Sequence, residues 1–146
     1  MIKKEYKSIG SGLKQTRCRM KKLTFVMENY LEAIYELSSE GKGARVSDIA
    51  ERLGVTKAST NSAMATLSER GLIINEKYKE VLLTEEGRRF AEMTALKHHT
   101  IKRFLADVLG VDVAIADEDA CAIEHVISND SIEAMGHYLE SVSMLK

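Results

Sequence analysis

The turn Leu53-Gly54-Val55-Thr56 limits what this chain can fold into more than any other segment. Before it, Val46, Ile49, Ala50 and Leu53 recur at helical spacing, which predicts a short second helix closed by Gly54. After it, Thr56 can cap a third helix that runs to about Arg70 and stops at Gly71. Helices joined through so tight a turn cross steeply, as in a helix-turn-helix unit. Next come two β-rich runs, Leu72-Ile73-Ile74 and Val81-Leu82-Leu83, separated by the polar stretch Asn75 to Glu80. They predict a hairpin placed as a wing. Upstream, Met27, Tyr30, Leu31, Ile34 and Leu37 give an amphipathic first helix over about residues 24–39, with Gly41 and Gly43 beyond it.

Thr84 can cap a long helix whose apolar positions include Phe90, Met93, Ile101, Phe104, Leu105 and Val108, and Gly110 ends it. Two further helices are expected at about 117–128 and 131–144, the second capped by Ser131. The fold class is therefore mainly α. A basic extension, 1–22, precedes an N-terminal winged helix-turn-helix, 23–84, and an all-helical domain, 85–146, follows it. No run of eighteen apolar residues is present, which excludes a membrane-crossing helix. The basic N-terminus is not followed by an apolar segment of the secretory kind. The two cysteines, Cys18 and Cys121, lie far apart, so no disulfide framework is expected and a reducing cytoplasm is the simplest location.

The net charge of −1 conceals an asymmetry. The first 22 residues are strongly basic, whereas from Asp107 onward the only Lys or Arg is Lys146. That polarity suits a chain that meets nucleic acid with one part only. The third helix begins Thr56-Lys57-Ala58-Ser59-Thr60-Asn61-Ser62 and keeps Met64 and Leu67 as anchors. Small hydroxyl and amide side chains let a helix N-terminus approach phosphates and base edges in the major groove. Thr56, Lys57, Ser59, Asn61 and Ser62 are the candidate DNA contacts, with Lys77 and Lys79 on the wing reaching flanking phosphates. Ser, Thr and Ala make few bidentate base contacts, so shape and phosphates carry much of any specificity.

A second constellation lies in Asp117-Glu118-Asp119-Ala120-Cys121-Ala122-Ile123-Glu124-His125. On a helix Cys121, Glu124 and His125 stand at i, i+3 and i+4 and share one face. Thiolate, carboxylate and imidazole together suit a divalent transition ion. Further ligands must come from elsewhere, and His98, His99, Asn29 and Glu32 are the candidates.

In order and spacing the chain resembles the diphtheria toxin repressor and manganese transport regulator family of metalloregulators. The resemblance is carried by Glu28-Asn29-Tyr30-Leu31-Glu32-Ala33-Ile34-Tyr35, by Arg45 to Leu53, by Leu83-Thr84-Glu85-Glu86-Gly87, by Lys97-His98, and by Ile123 to Ser128. It implies that the helical domain binds metal and dimerises, with Mn(II) or Fe(II) as corepressor. It implies His98, Cys121, Glu124 and His125 as ligands, with Glu32 and Asn29 added from the first helix. Cys121 resembles the iron-responsive branch, Glu32 the manganese branch, and Asn29 neither. By the resemblance, the length is expected to be that of the manganese type, without the SH3-like third domain of the iron type.

The implied partners are a double-stranded DNA operator and a second copy of the chain, with no membrane and no small organic substrate. In a twofold dimer, metal binding would set the separation of the recognition helices, which must be about 34 Å to meet successive major grooves. The alternative is a metal-independent winged-helix repressor that senses oxidation through Cys121. No glycine-rich phosphate loop or nucleophile motif points to an enzyme.

Overall fold

The computed structural model describes residues 23–38 and 42–145. The basic extension 1–22 and the glycine at 41 lie outside them. Two compact units are present, Leu23–Glu92 and a second that begins at Met93.

In the first unit, α1 (Phe25–Leu37) is capped by Thr24, whose side chain accepts from the Met27 backbone N–H. Next come α2 (Val46–Leu53) and α3 (Lys57–Glu69). Gly54 closes α2 in the left-handed conformation, φ 64°, which a side chain would resist. Thr56 caps α3 by accepting from Ser59 N–H. The strands β1 (Ile73–Ile74) and β2 (Leu82–Leu83) are antiparallel, Ile73 facing Leu83 and Ile74 facing Leu82. The three helices and the hairpin close on Leu31, Ile34, Ile49, Met64, Leu67 and Val81, all without exposed surface. Each such side chain contributes about 1.5–3 kcal/mol of burial. The pattern matches the winged helix-turn-helix expected from the turn residues. One addition is a third rung on the wing: Ala44 and Val81 exchange backbone hydrogen bonds of 2.9 and 2.8 Å.

The long helix α4 (Glu85–Arg103) starts in the first unit and continues into the second. Thr84 joins the wing to it, donating to the Gly71 carbonyl at 2.7 Å and accepting from Gly87 N–H at 3.1 Å. Gly87 lies against the hairpin so closely that a Cβ there would fall 1.9 Å from the Leu72 carbonyl oxygen. That neighbour is backbone and cannot swing aside. Gly87→Ala is expected to lower stability by about 1–3 kcal/mol, the usual range for overpacking. Thermal unfolding checks this, and an unchanged Tm would mean that the hairpin yields freely.

In the second unit α4 passes into a π-helical turn, Phe104–Val108, and Gly110 (φ 71°) ends it. Then come α5 (Val113–Ile123) and α6 (Asn129–Ser143). Ile101, Ala120 and Ile132 form the buried centre, flanked by Leu105, Ile123, Ile127 and Met135. Two sequence expectations are corrected here. α5 begins at Val113 rather than Asp117, because the Asp112 side chain accepts from the N–H groups of Ala114 and Ile115, and it ends at Ile123 rather than Ser128. Ser131 is not the cap of α6. It donates its backbone N–H to Ser128 Oγ at 3.2 Å, and Ser128 is the cap. Among the described residues no helix is long and apolar enough to cross a membrane.

Candidate metal centre and nucleic-acid interface

Within the second unit, His98 on α4 faces the end of α5. Its Nδ1 lies 2.8 Å from Glu124 Oε2 and 3.7 Å from Cys121 Sγ. On the other side of Glu124, His125 Nε2 lies 3.3 Å from Oε1. The side chains of Glu124 and His125 are 1% and 2% exposed, that of His98 21%. Cys121 is exposed. Although α5 formally ends at Ile123, Glu124 keeps helical angles (φ −54°, ψ −30°) and bonds back to the Ala120 carbonyl. The i, i+3 alignment of Cys121 with Glu124 therefore holds past the helix end.

Imidazole nitrogen, carboxylate oxygen and thiol sulfur thus converge around one buried carboxylate. That donor set fits a divalent transition ion, since such ions take nitrogen, oxygen and sulfur ligands at about 2.0–2.3 Å. His98, with Cys121 beside it, meets one oxygen of Glu124 and His125 meets the other, while His99 is exposed. Asn29 and Glu32 stand at half-buried positions on α1, in the first unit.

Helical spacing alone does not mark Asp117 as part of the site. Its Oδ1 lies 3.0 Å from His98 Nε2 and 2.6 Å from Lys102 Nζ. The Lys102 hydrogen bond, and after it that of His98, hold the Asp117 carboxyl below the ordinary carboxylate range. Only local spacing was available to find it, and its partner is 19 residues distant.

In the first unit Thr56, Lys57, Ser59, Asn61 and Ser62 are all exposed on the N-terminal half of α3, and Thr60 between them is buried. The hydroxyls are held in place: Thr56 Oγ1 donates to Ser59 Oγ at 2.9 Å, and Ser62 Oγ donates to the Ala58 carbonyl at 3.2 Å. Lys57 and Asn61 line an open groove with Arg45, Lys77, Tyr78 and Lys79. The wing tip is Tyr78, 94% exposed and at φ 63°, with Lys77 Nζ 5.0 Å from its ring centre. Lys79 pairs with Glu76, so part of its charge is answered within the wing. Arg45 and Tyr78 are further groove residues that helix and strand periodicity did not single out.

Residues 22–81 match the family described as iron dependent repressor, N-terminal DNA binding domain, and residues 84–144 match iron dependent repressor, metal binding and dimerisation domain. The chain is similar to the HTH-type transcriptional regulator MntR of Bacillus pumilus (strain SAFR-032), at 36% identity over 114 residues, which is 78% of each protein. Among solved structures it is similar to the manganese regulator SloR, with a TM-score of 0.68 and 29% identity over 78% of this chain. It is similar to ScaR with bound Zn2+ to the same degree, TM-score 0.68 and 29% identity over 78% of the chain. The chain spans about half the length of those two structures, 53% in each case.

Proposed function

The chain belongs to the iron-dependent repressor family, and from that membership we propose that it is a transcriptional repressor of metal homeostasis that binds operator DNA as a homodimer when Mn(II) or Fe(II) is bound. The observation that carries the reading is the cluster of His98, Cys121 and His125 around the buried carboxylate of Glu124. It occurs in a chain whose other unit is a winged helix-turn-helix. We assign the four residues as metal ligands, and Asn29 and Glu32 join them on the sequence pattern alone. A divalent ion bound there would supply the positive charge that offsets the buried Glu124 carboxylate.

The chain's own residues do the remainder. Glu124 offers one oxygen toward His98 and the other toward His125, so it orients both rings. Thr56 holds the start of α3 and orients the Ser59 hydroxyl, and Lys57 and Lys77 set positive charge along the groove, where Arg45 pairs with Glu80 at 3.9 Å. Phosphate contacts from such residues position a protein on the duplex, and base edges then specify it. The ion changes DNA affinity only as far as it binds the DNA-competent state better than the alternative, and that coupling is reciprocal. The proposed role is regulatory, with no small organic substrate and with the cytoplasm as its place.

The test is binding of a DNA fragment from upstream of the gene, first in chelator and then with Mn(II), Fe(II), Co(II) or Zn(II), at fixed salt. Salt is fixed because phosphate contacts make affinity steeply ionic-strength dependent. A rise of tenfold or more with one ion, at least about 1.4 kcal/mol of coupling, is expected. Tight binding indifferent to both metal and chelator would overturn the metal dependence. The exposure of Cys121 beside an imidazole supports a second reading, a thiol oxidation sensor. On that reading peroxide releases DNA and chelator does not.

A further inference from the structure

We propose that Asp117, anchored by Lys102, is a positioning residue that fixes the orientation and tautomer of His98, so that Nδ1 is the nitrogen offered to the metal. The inference rests on the ligand assignment above and adds to it a residue that does not itself bind the ion. His98 and Lys102 are i and i+4 on α4, hence on one face. Asp117, Cys121 and Glu124 follow at i, i+4 and i+7 along α5 and its continuation, hence also on one face. These two stripes meet at the His98 ring. Nδ1 looks toward Glu124 Oε2 at 2.8 Å and Cys121 Sγ at 3.7 Å, while Nε2 looks toward Asp117 Oδ1 at 3.0 Å.

A neutral imidazole has one N–H and one lone pair. A ring that gives its lone pair to an ion through one nitrogen keeps its proton on the other. Donation of Nε2–H to Asp117 therefore leaves the Nδ1 lone pair on the side where the thiol and the buried carboxylate stand. Lys102 completes the arrangement by donating to the same Asp117 oxygen at 2.6 Å. Its ammonium holds the carboxylate in place and puts a positive charge at the Nε2 edge of the ring, which opposes an ion approaching from that side. As a salt bridge the Lys102–Asp117 pair is half-exposed and contributes little to stability. Its consequence is directional, because an acceptor on the distal nitrogen of a ligating histidine sets ring orientation and raises ligand basicity.

The test uses the full chain with Zn(II), a diamagnetic probe. Zinc affinity is measured by competition with a chromophoric chelator, and the His98 tautomer by 15N NMR of the imidazole, assigned through His98→Gln. In the zinc-loaded protein the His98 proton is expected on Nε2. Asp117→Ala is expected to weaken zinc binding about 10–100-fold, as loss of such a partner does, and to leave the tautomer mixed with helicity unchanged. Lys102→Met, which keeps the carboxylate and loses its anchor, is expected to give a smaller loss in the same direction. Wild-type affinity and tautomer in Asp117→Ala would overturn the proposal. So would a fall in affinity with the tautomer unchanged, which assigns Asp117 a long-range charge effect instead. Glu124→Ala is run in parallel. If it loses zinc while Asp117→Ala behaves as wild type, only the positioning role fails. If it keeps zinc, the ligand assignment fails and this inference falls with it.

Discussion

The Glu124→Ala protein is expected to bind Mn(II) at least a hundredfold more weakly than the wild type, and its DNA binding no longer responds to metal. A hundredfold is about 2.7 kcal/mol, at 1.4 kcal/mol per tenfold. The size follows from the position of the carboxylate. One oxygen meets His98 Nδ1 at 2.8 Å and the other meets His125 Nε2 at 3.3 Å, so on the proposed assignment removing it takes away a ligand and the orientation of two more. The ion-free fold survives the change. Losing an acceptor for the buried His125 imidazole and the half-buried His98 imidazole costs about 1–3 kcal/mol. Relief from burying a carboxylate offsets part of that cost, and Ala favours the helical backbone that Glu124 already adopts. Metal titration, DNA binding with and without Mn(II), and circular dichroism are the three readouts. Reciprocity requires the first two losses to appear together. An undiminished metal response with an intact fold would remove Glu124 from the ligand set.

The winged half was legible in the sequence because its boundaries are chemically sharp. Gly54 accepts the left-handed angle that closes α2, Thr56 caps α3, and Thr84 ties the wing to α4. The rung between Ala44 and Val81 was not legible, since a single residue has no periodicity to read. The start of α5 was misplaced for a related reason. Val113 and Ile115 in its first turns are 60% and 53% exposed, so apolar spacing marks no inward face there, and the acidic run at Asp117–Asp119 drew the boundary to itself. Two serines three apart, Ser128 and Ser131, offer the same capping chemistry. The structure selects the first, and the inward face of α6 then runs through Ile132, Gly136 and Leu139.

At the site, the spacing of Cys121, Glu124 and His125 put those residues forward, because one helical turn separates donors that must share a face. Spacing did not choose between His98 and His99, which are adjacent and point apart. The family resemblance chose His98, and the geometry places it beside Glu124. Asp117 lies within the acidic run, where nothing in its spacing marks it, since its contacts depend on what another helix brings to it.

The Ser59→Glu protein is expected to lose at least a hundredfold in operator affinity while binding metal as the wild type does. Ser59 is the third residue of α3 after its cap, Thr56. A glutamate at that position reaches back to the backbone N–H of a capping threonine, completing a reciprocal pair of bonds that steadies the helix start. A negative charge in the first turn is also favoured by the helix dipole. The substitution therefore leaves the folded unit at least as stable, and thermal unfolding checks that premise. Toward DNA it has the opposite effect, setting a carboxylate on the exposed N-terminal turn of α3, where phosphates must approach. A loss of about 2.7 kcal/mol, or a hundredfold, needs only one such repulsion together with the loss of a small hydroxyl contact. Ser59→Ala separates the two, since it removes the hydroxyl without adding charge and should weaken binding far less. Wild-type operator affinity in Ser59→Glu would mean that the N-terminal half of α3 does not face DNA. In the expected case Ser59→Glu keeps the ion and loses the operator, and Glu124→Ala loses the ion and keeps its metal-free level of DNA binding. Opposite losses of that kind separate the two sites, so the metal dependence of the wild type then has to be a coupling between them.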